Sequence, residues 1–145
     1  MRHHVGPAAT LPGMSISYPK VPGLVQSPGF SHVAVIPPGS TMIHVGGQNG
    51  VDATGAVISD DVAAQSARAI ENAEAALAAA GATLADVVGW TVLIHQDADL
   101  RAAYGAVGPK LARAGAPPLV TAARVAGLGV PGALIEIAAI AALTP

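Results

Sequence analysis

The sequence predicts an α+β fold: one sheet with two helices on a single face. Two observations predict it. Short runs of branched apolar residues alternate with two longer segments whose apolar residues recur at helical spacing. The order along the chain is strand, strand, helix, strand, helix, strand, strand. A single layer of helices leaves the other sheet face bare. That face is apolar in the sequence, so burial against another copy is expected to complete it.

Residues 1–26 read as an irregular N-terminal arm, and residues 27–145 as the folded domain. The arm holds His3 and His4 and the Pro/Gly-rich stretch "YPKVPGLVQSPG". The paired histidines suit an unstructured terminus, with a metal site as the alternative. "FSHVAVI" (30–36) reads as a strand, "PPGS" as a turn and "TMIHVGGQ" (41–48) as the second arm of a hairpin. "NGVDATGAVIS" follows as a loop with turn chemistry at Asn49-Gly50 and Thr54-Gly55.

The first helix is expected to begin near Asp60 or Asp61, capped by Ser59 or Asp60, and to end at Gly81. Val62, Ala69, Ile70, Ala73 and Leu77 form its apolar stripe. A buried strand is expected over Trp90–His95. A second helix is expected from Ala98 to Ala114, with Asp97 or Asp99 as cap and Gly115 as stop. Gly108-Pro109 inside it argues against an unbroken helix. The last two strands are "LVTAARVAGL" and "ALIEIAAIAAL", joined by "GVPG".

Composition narrows the function. Hydrophobic residues make up 52% of the 145 but aromatics only 3%, so the core is built from Ala, Val, Leu and Ile. Charged residues are 11% and the formal net charge is -2, with no basic stripe, which argues against a nucleic-acid surface. There is no cysteine, which excludes disulfides, thiolate metal sites and a cysteine nucleophile. No stretch approaches the roughly 18 apolar residues that span a bilayer. The start "MRHHVGPAAT" is not followed by an apolar run and does not read as a secretory signal, so the cytoplasm is the expected compartment.

Several stretches then line up: "GFSHVAV", "VGGQNGVDATGAV", "QSARAIENAEAALAAAGATLADVVGWTVLI" and "GALIEIAAIA". Together they resemble the Rid (reactive intermediate deaminase) family, also labelled endoribonuclease L-PSP. The resemblance covers roughly residues 27–143, and "GGQ…DATG" with "IEIAAIA" is its most specific part. It implies a chorismate-mutase-like fold with a six-stranded mixed sheet. It implies a homotrimer around a central barrel, with three small-molecule clefts between subunits. The best-studied subgroup hydrolyses enamines and imines to 2-oxo acids and ammonia, without metal or cofactor. Neither nucleic acid nor membrane is an expected partner.

The family's site maps onto this chain residue by residue, with departures. Its "YSQ"-type stretch falls on Phe30, Ser31 and His32, so the tyrosine hydroxyl is missing. Its "SGQ" falls on Gly46, Gly47 and Gln48, so the serine hydroxyl is missing too. The cleft-facing helix position matches Arg101. The glutamate beside the attacking water matches Glu136. The arginine that clamps the substrate carboxylate matches Val120, given a one-residue length difference before the last strand.

The residues themselves leave choices open. Glu136 is the only charge on either row of its strand, and a buried carboxylate needs a partner or a proton. It can be a proton shuttle, or a structural carboxylate paired with an arginine of another subunit. Arg124 shares the face of Val120, but four strand positions span about 13 Å. It cannot replace the clamp, and reads as a structural partner, with Glu136 a candidate. Arg101 either helps to bind an anionic ligand or pairs with Asp97 or Asp99. His32, His44 and His95 lack metal-ligand spacing and read as packed or edge residues; His32 borders the cleft by family position. Two functions stay open: an imine or enamine hydrolase with altered specificity, active on something other than 2-aminoacrylate, and a non-catalytic binding trimer. Ribonuclease activity, suggested by the older label, fits poorly with the charge.

Overall fold

The computed structural model describes residues 15–145; His3, His4 and the start of the arm lie outside the described residues. Its elements are β1 (Thr41–Gln48), α1 (Val62–Ala79), β2 (Val87–His95), α2 (Leu100–Leu111), β3 (Leu119–Val125) and β4 (Ile135–Leu143), with a short 3₁₀ turn at Leu84–Asp86. The strands form one mixed sheet in the order β1-β4-β2-β3. Strand β4 runs antiparallel to both β1 and β2, while β3 runs parallel to β2. Both parallel relations are bridged by a helix, as parallel pairs require.

Period-two alternation decides which side of each strand is covered. Ile135, Ile137, Ala139 and Ala141 of β4, Trp90, Val92 and Ile94 of β2, and Ile43 and Val45 of β1 are buried on the helical side. Helix α1 packs there against β4, β1 and α2. Ala69, Ile70, Ala73 and Leu77 are its buried stripe, as the spacing predicts. Asp61 caps it by accepting from the Ala64 N–H at 3.0 Å. At the other end Gly81, at φ +79°, lets its own N–H reach Ala78 O and the Ala82 N–H reach Leu77 O. That is the Schellman geometry.

The six-stranded expectation is corrected to four strands among the described residues. Residues 30–36 do not form a strand and make no hairpin with β1; their only ladder contact is a single bridge, Ser17 with Val35. The reason lies in Ser31. Its N–H donates to Pro118 O at 3.1 Å and its hydroxyl to Pro117 O at 2.6 Å. That pins the segment beside the start of β3, three strand spacings, or about 14 Å, from β1.

Strand β3 also stops at Val125, short of the expected Leu128. Its neighbour β2 ends at His95, where the chain turns through Ala98 N–H to His95 O, so residues 126–128 have no strand to pair with. Helix α2, by contrast, runs unbroken through Gly108-Pro109. The acceptor that Pro109 leaves without a donor is the carbonyl of Gly105, which lies on the exposed side, where water can take up the lost bond.

Among the described residues nothing covers the sheet face away from the helices. Met42 and Ile140 are 43% and 41% exposed there. His44, Thr91 and Thr121 share it, so this face is mixed rather than uniformly apolar. Among the described residues no helix is long and apolar enough to cross a membrane.

Candidate functional site

The residues singled out in the sequence fall into two groups, one at each end of the sheet. The first is a corner where β1 meets β4. Between Val45, paired with Ala139, and Gln48, paired with Ile137, β1 carries one residue more than β4. This is a β-bulge at Gly46-Gly47. It brings Gly47 against Glu136: a Cβ on Gly47 would lie 2.8 Å from the carboxyl carbon of Glu136. Only glycine fits. Gly46 is different, because a Cβ there would meet open space.

Glu136 is half-buried and points to the uncovered side, paired across the ladder with Leu93. Neither an ion pair nor a side-chain hydrogen bond reaches its carboxylate among the described residues. A half-shielded carboxylate with free lone pairs can hold a water and accept its proton.

Polar side chains, with Gln65 and Asn49 buried and Asn72 half-buried, hold this corner still. Gln65 is fully buried on α1. Its amide nitrogen donates to Ser59 O (2.7 Å) and Gly132 O (3.1 Å), and its oxygen accepts from the Leu134 N–H at 2.8 Å. Asn49 donates to Ile135 O at 2.8 Å. Asn72 donates to Asn49 O and Val51 O, both at 3.0 Å. Glu136 is thus the next residue after two backbone positions fixed from below. Gly50 presses directly on α1, where a Cβ would come within 2.5 Å of the Gln65 backbone.

Beyond the corner, Asp52 closes a small turn. Its carboxylate accepts from the Thr54 hydroxyl (2.6 Å), the Thr54 N–H (2.9 Å) and the Ala56 N–H (3.1 Å). These bonds, led by the Thr54 hydroxyl, hold its pKa below the ordinary aspartate value.

The second group surrounds a groove of about 490 Å³ between α2 and the β2–β3 end of the sheet. Phe30, Val92, Tyr104, Val107 and Val120 line it, and Arg113 borders it. Val120 pairs with Trp90, so it shares the helical side of the sheet. Phe30 reaches the groove because the next residue, Ser31, is tied to Pro117 and Pro118. Edge-on, the His32 ring meets the Phe30 ring at 5.4 Å between centroids, and its Nε2 lies 2.6 Å from Val25 O.

A single chain therefore gathers Gly46, Gly47 and Glu136 at one place, and Phe30, His32 and Val120 at another. Arg101 joins neither. It is exposed at the start of α2, no ion pair with Asp97 or Asp99 forms among the described residues, and Tyr104, one turn on, is the residue that lines the groove. Arg124 donates to Ala98 O at 3.0 Å, which is a structural bond. Glu136 is not its partner within the chain, since Arg124 pairs with Ile94 on the helical side and Glu136 with Leu93 on the other. His95 Nδ1 accepts from the Asp97 N–H at 3.1 Å. Among the described residues no group of three or more His, Asp or Glu could hold a metal ion.

Gln65, Asn72 and Tyr104 escaped the sequence reading. Gln65 sits within the apolar stripe of α1, and its helical position next to that stripe is the signal that would have placed it in the core.

A family model described as endoribonuclease L-PSP matches residues 25–143. This chain belongs to that family, the Rid family. Solved structures agree. A Rid-family protein of unknown function from Yersinia pestis is similar over 88% of this chain and 98% of its own, at 27% identity and a TM-score of 0.74. A Mycobacterium tuberculosis member of the YjgF/YER057c/UK114 family is 32% identical over 78% of this chain and 86% of its own, with a TM-score of 0.55. TdcF from E. coli, solved with bound serine, is 28% identical over 81% of this chain and 94% of its own, with a TM-score of 0.64. Among curated proteins none matches.

Proposed function

We propose that this Rid-family chain works as a homotrimer that binds a small metabolite in clefts between subunits and hydrolyses an imine or enamine other than 2-aminoacrylate. One observation carries the reading: the two halves of the site lie at opposite ends of the sheet, Gly47 and Glu136 by β1 and Phe30 and Val120 by β3. No single chain can close a ligand between them. A head-to-tail contact, the β3 end of one copy against the β1 end of the next, brings them together and closes into a ring. The uncovered sheet faces then turn inward, which buries Met42 and Ile140. That a relative, TdcF, was solved with bound serine supports a small amino-acid-derived ligand.

In this arrangement Glu136 holds a water against the imine carbon. It takes one water proton as the oxygen adds to carbon and passes that proton to the imine nitrogen, giving a neutral carbinolamine. It then takes the hydroxyl proton and delivers it to the amino nitrogen as the C–N bond breaks, so ammonia leaves, a carbonyl compound forms and Glu136 is again a carboxylate. The Gly47 N–H orients the substrate. Val120 in place of an arginine removes a bidentate clamp, a loss of several kcal/mol for a 2-imino acid held in the usual way. The same substitution favours a second reading, a binding trimer without turnover.

An amino-acid oxidase that generates 2-iminobutanoate or 2-iminopropanoate, with semicarbazone formation as readout, tests the assignment. Weak acceleration by the wild type on these imines, a gain in Val120→Arg, and loss of all activity in Glu136→Gln is the expected pattern. Glu136→Gln equal to wild type on every imine tried removes the catalytic role and leaves the binding trimer.

A further inference from the structure

The groove has lost the arginine expected at position 120, and nothing on its wall replaces it. Arg113 is the one charged residue that borders it among the described residues. Its guanidinium is engaged elsewhere. It donates to the Tyr18 hydroxyl at 3.0 Å, to Ala116 O at 3.0 Å and to Ala85 O at 3.3 Å. Tyr18, Ala85 and Ala116 line a separate hollow of about 570 Å³. Lys110 is paired with Glu74 at 3.7 Å, and Arg124 donates to Ala98 O at 3.0 Å. The wall that remains is Val92, Val107, Leu111 and Val120 with the rings of Phe30 and Tyr104. Apart from Arg113, the Tyr104 hydroxyl is its only polar side-chain group.

The end of the sheet that would close the groove from the next copy is no better suited to an anion. Strand β1, the loop that follows it to Asp61 and strand β4 contain no Lys or Arg. They carry the carboxylates of Asp52, Asp60, Asp61 and Glu136. A ligand carboxylate would lose water against hydrocarbon with no cation to meet it, and would face the like charge of Glu136. We infer that the substrate is an imine without a carboxylate, with a ring-bearing hydrocarbon body lying along Phe30, Val107 and Val120. The inference rests on the hydrolysis proposed for Glu136. The C=N bond is hydrolysed: the water oxygen becomes the carbonyl oxygen of a ketone, and the nitrogen leaves as ammonia. The reaction that supplies such an imine is the two-electron oxidation of a primary amine by dioxygen or another acceptor.

The test uses the full chain, ¹⁵N-labelled, and a matched pair of products, 4-phenylbutan-2-one and 2-oxo-4-phenylbutanoate. They differ by a methyl group in place of the carboxylate. Calorimetry gives affinities, and amide shifts locate the site. The ketone is expected to shift Val107, Leu111 and Val120, and to bind at least about tenfold more tightly than the oxo acid, because burying an unpaired charge is costly. Turnover is read on the corresponding imines. An amine oxidase with dioxygen generates one from 4-phenylbutan-2-amine, an amino-acid oxidase the other from 2-amino-4-phenylbutanoate, and semicarbazone formation reports both. The protein should hydrolyse the first at least about tenfold faster than the second, since the same unpaired charge persists in the transition state. Val120→Arg, its fold checked by its amide spectrum, should reverse both preferences. An oxo acid bound at the groove as tightly as the ketone, or its imine hydrolysed as fast, overturns the inference and leaves the Glu136 hydrolysis standing. Ketone bound at the groove with neither imine hydrolysed overturns the hydrolysis, and the substrate with it, and leaves a groove for uncharged ligands. No shift at the groove with either product overturns the groove as the ligand site.

Discussion

The Glu136 corner and the Val120 groove are built by different means. The corner is rigid and polar underneath: Gln65, Asn49 and Asn72 fix the backbone on both sides of it, and a glycine bulge sets the carboxylate in place. The groove is apolar and framed from its edge. Helix α2 packs mainly on α1 rather than on the sheet, and the segment around Phe30 reaches the groove through the two Ser31 bonds. Under the proposed hydrolysis the difference divides the labour. Reaction geometry tolerates little displacement, which suits a reacting group on the most constrained part of the fold. Ligand preference can change with single side chains, and those line a groove whose walls do not carry the sheet.

The largest test of this contrast is Gln65→Leu. It strands the Leu134 N–H and the carbonyls of Ser59 and Gly132, and should destabilise the fold by about 3 kcal/mol. Chemical denaturation measures it; a change below 1 kcal/mol would show that the network is dispensable. Gly47→Ala comes next. Its Cβ would collide with the Glu136 carboxyl group, which must swing away. Turnover of any imine the wild type hydrolyses should fall roughly tenfold or more, with groove binding unchanged. If turnover is kept, Glu136 does not act from this position.

Ser31→Ala reverses the pattern. It removes the 2.6 Å bond to Pro117 O, at about 1 kcal/mol, and loosens Phe30. Probe affinity at the groove should drop while the amide shifts of the Glu136 corner stay as they are. The smallest effect concerns Asp52. Its carboxylate is favoured in the folded turn, so its contribution is present at neutral pH. That contribution is lost as pH falls from the ordinary aspartate value, about 4, through the lowered folded one. Amide exchange at Thr54 and Ala56 should quicken over that acid window in the wild type and be fast throughout in Asp52→Asn.

What could be read in advance follows from how local each signal is. The stripe of α1 and the Gly81 stop are set by neighbours three and four residues apart, and both hold; the cap is Asp61 rather than the expected Ser59 or Asp60. The two rows of β4, with Glu136 alone among apolar residues, follow from period-two geometry. Residues 30–36 read as a strand because alternating Val and Ile are all that a local window sees. What overrides them is a pair of bonds from Ser31 to residues 86 and more positions away. Tyr104 rather than Arg101 lines the groove for a similar reason: the facing of α2 depends on how it leans on α1. The Gly47–Glu136 contact joins residues far apart in sequence, and only the family resemblance, not spacing, put them in one site.

The central claim is that the β3-end groove of one copy meets the β1-end corner of the next. The chain has no cysteine, so two can be placed at will. Gly46 opens on free space and Tyr104 is 41% exposed, so both positions tolerate the change. Gly46→Cys with Tyr104→Cys, treated with a short bis-maleimide at micromolar protein, is predicted to give covalent dimers and trimers and nothing larger, while each single variant stays monomeric on a denaturing gel. A double variant that remains monomeric would contradict the shared site.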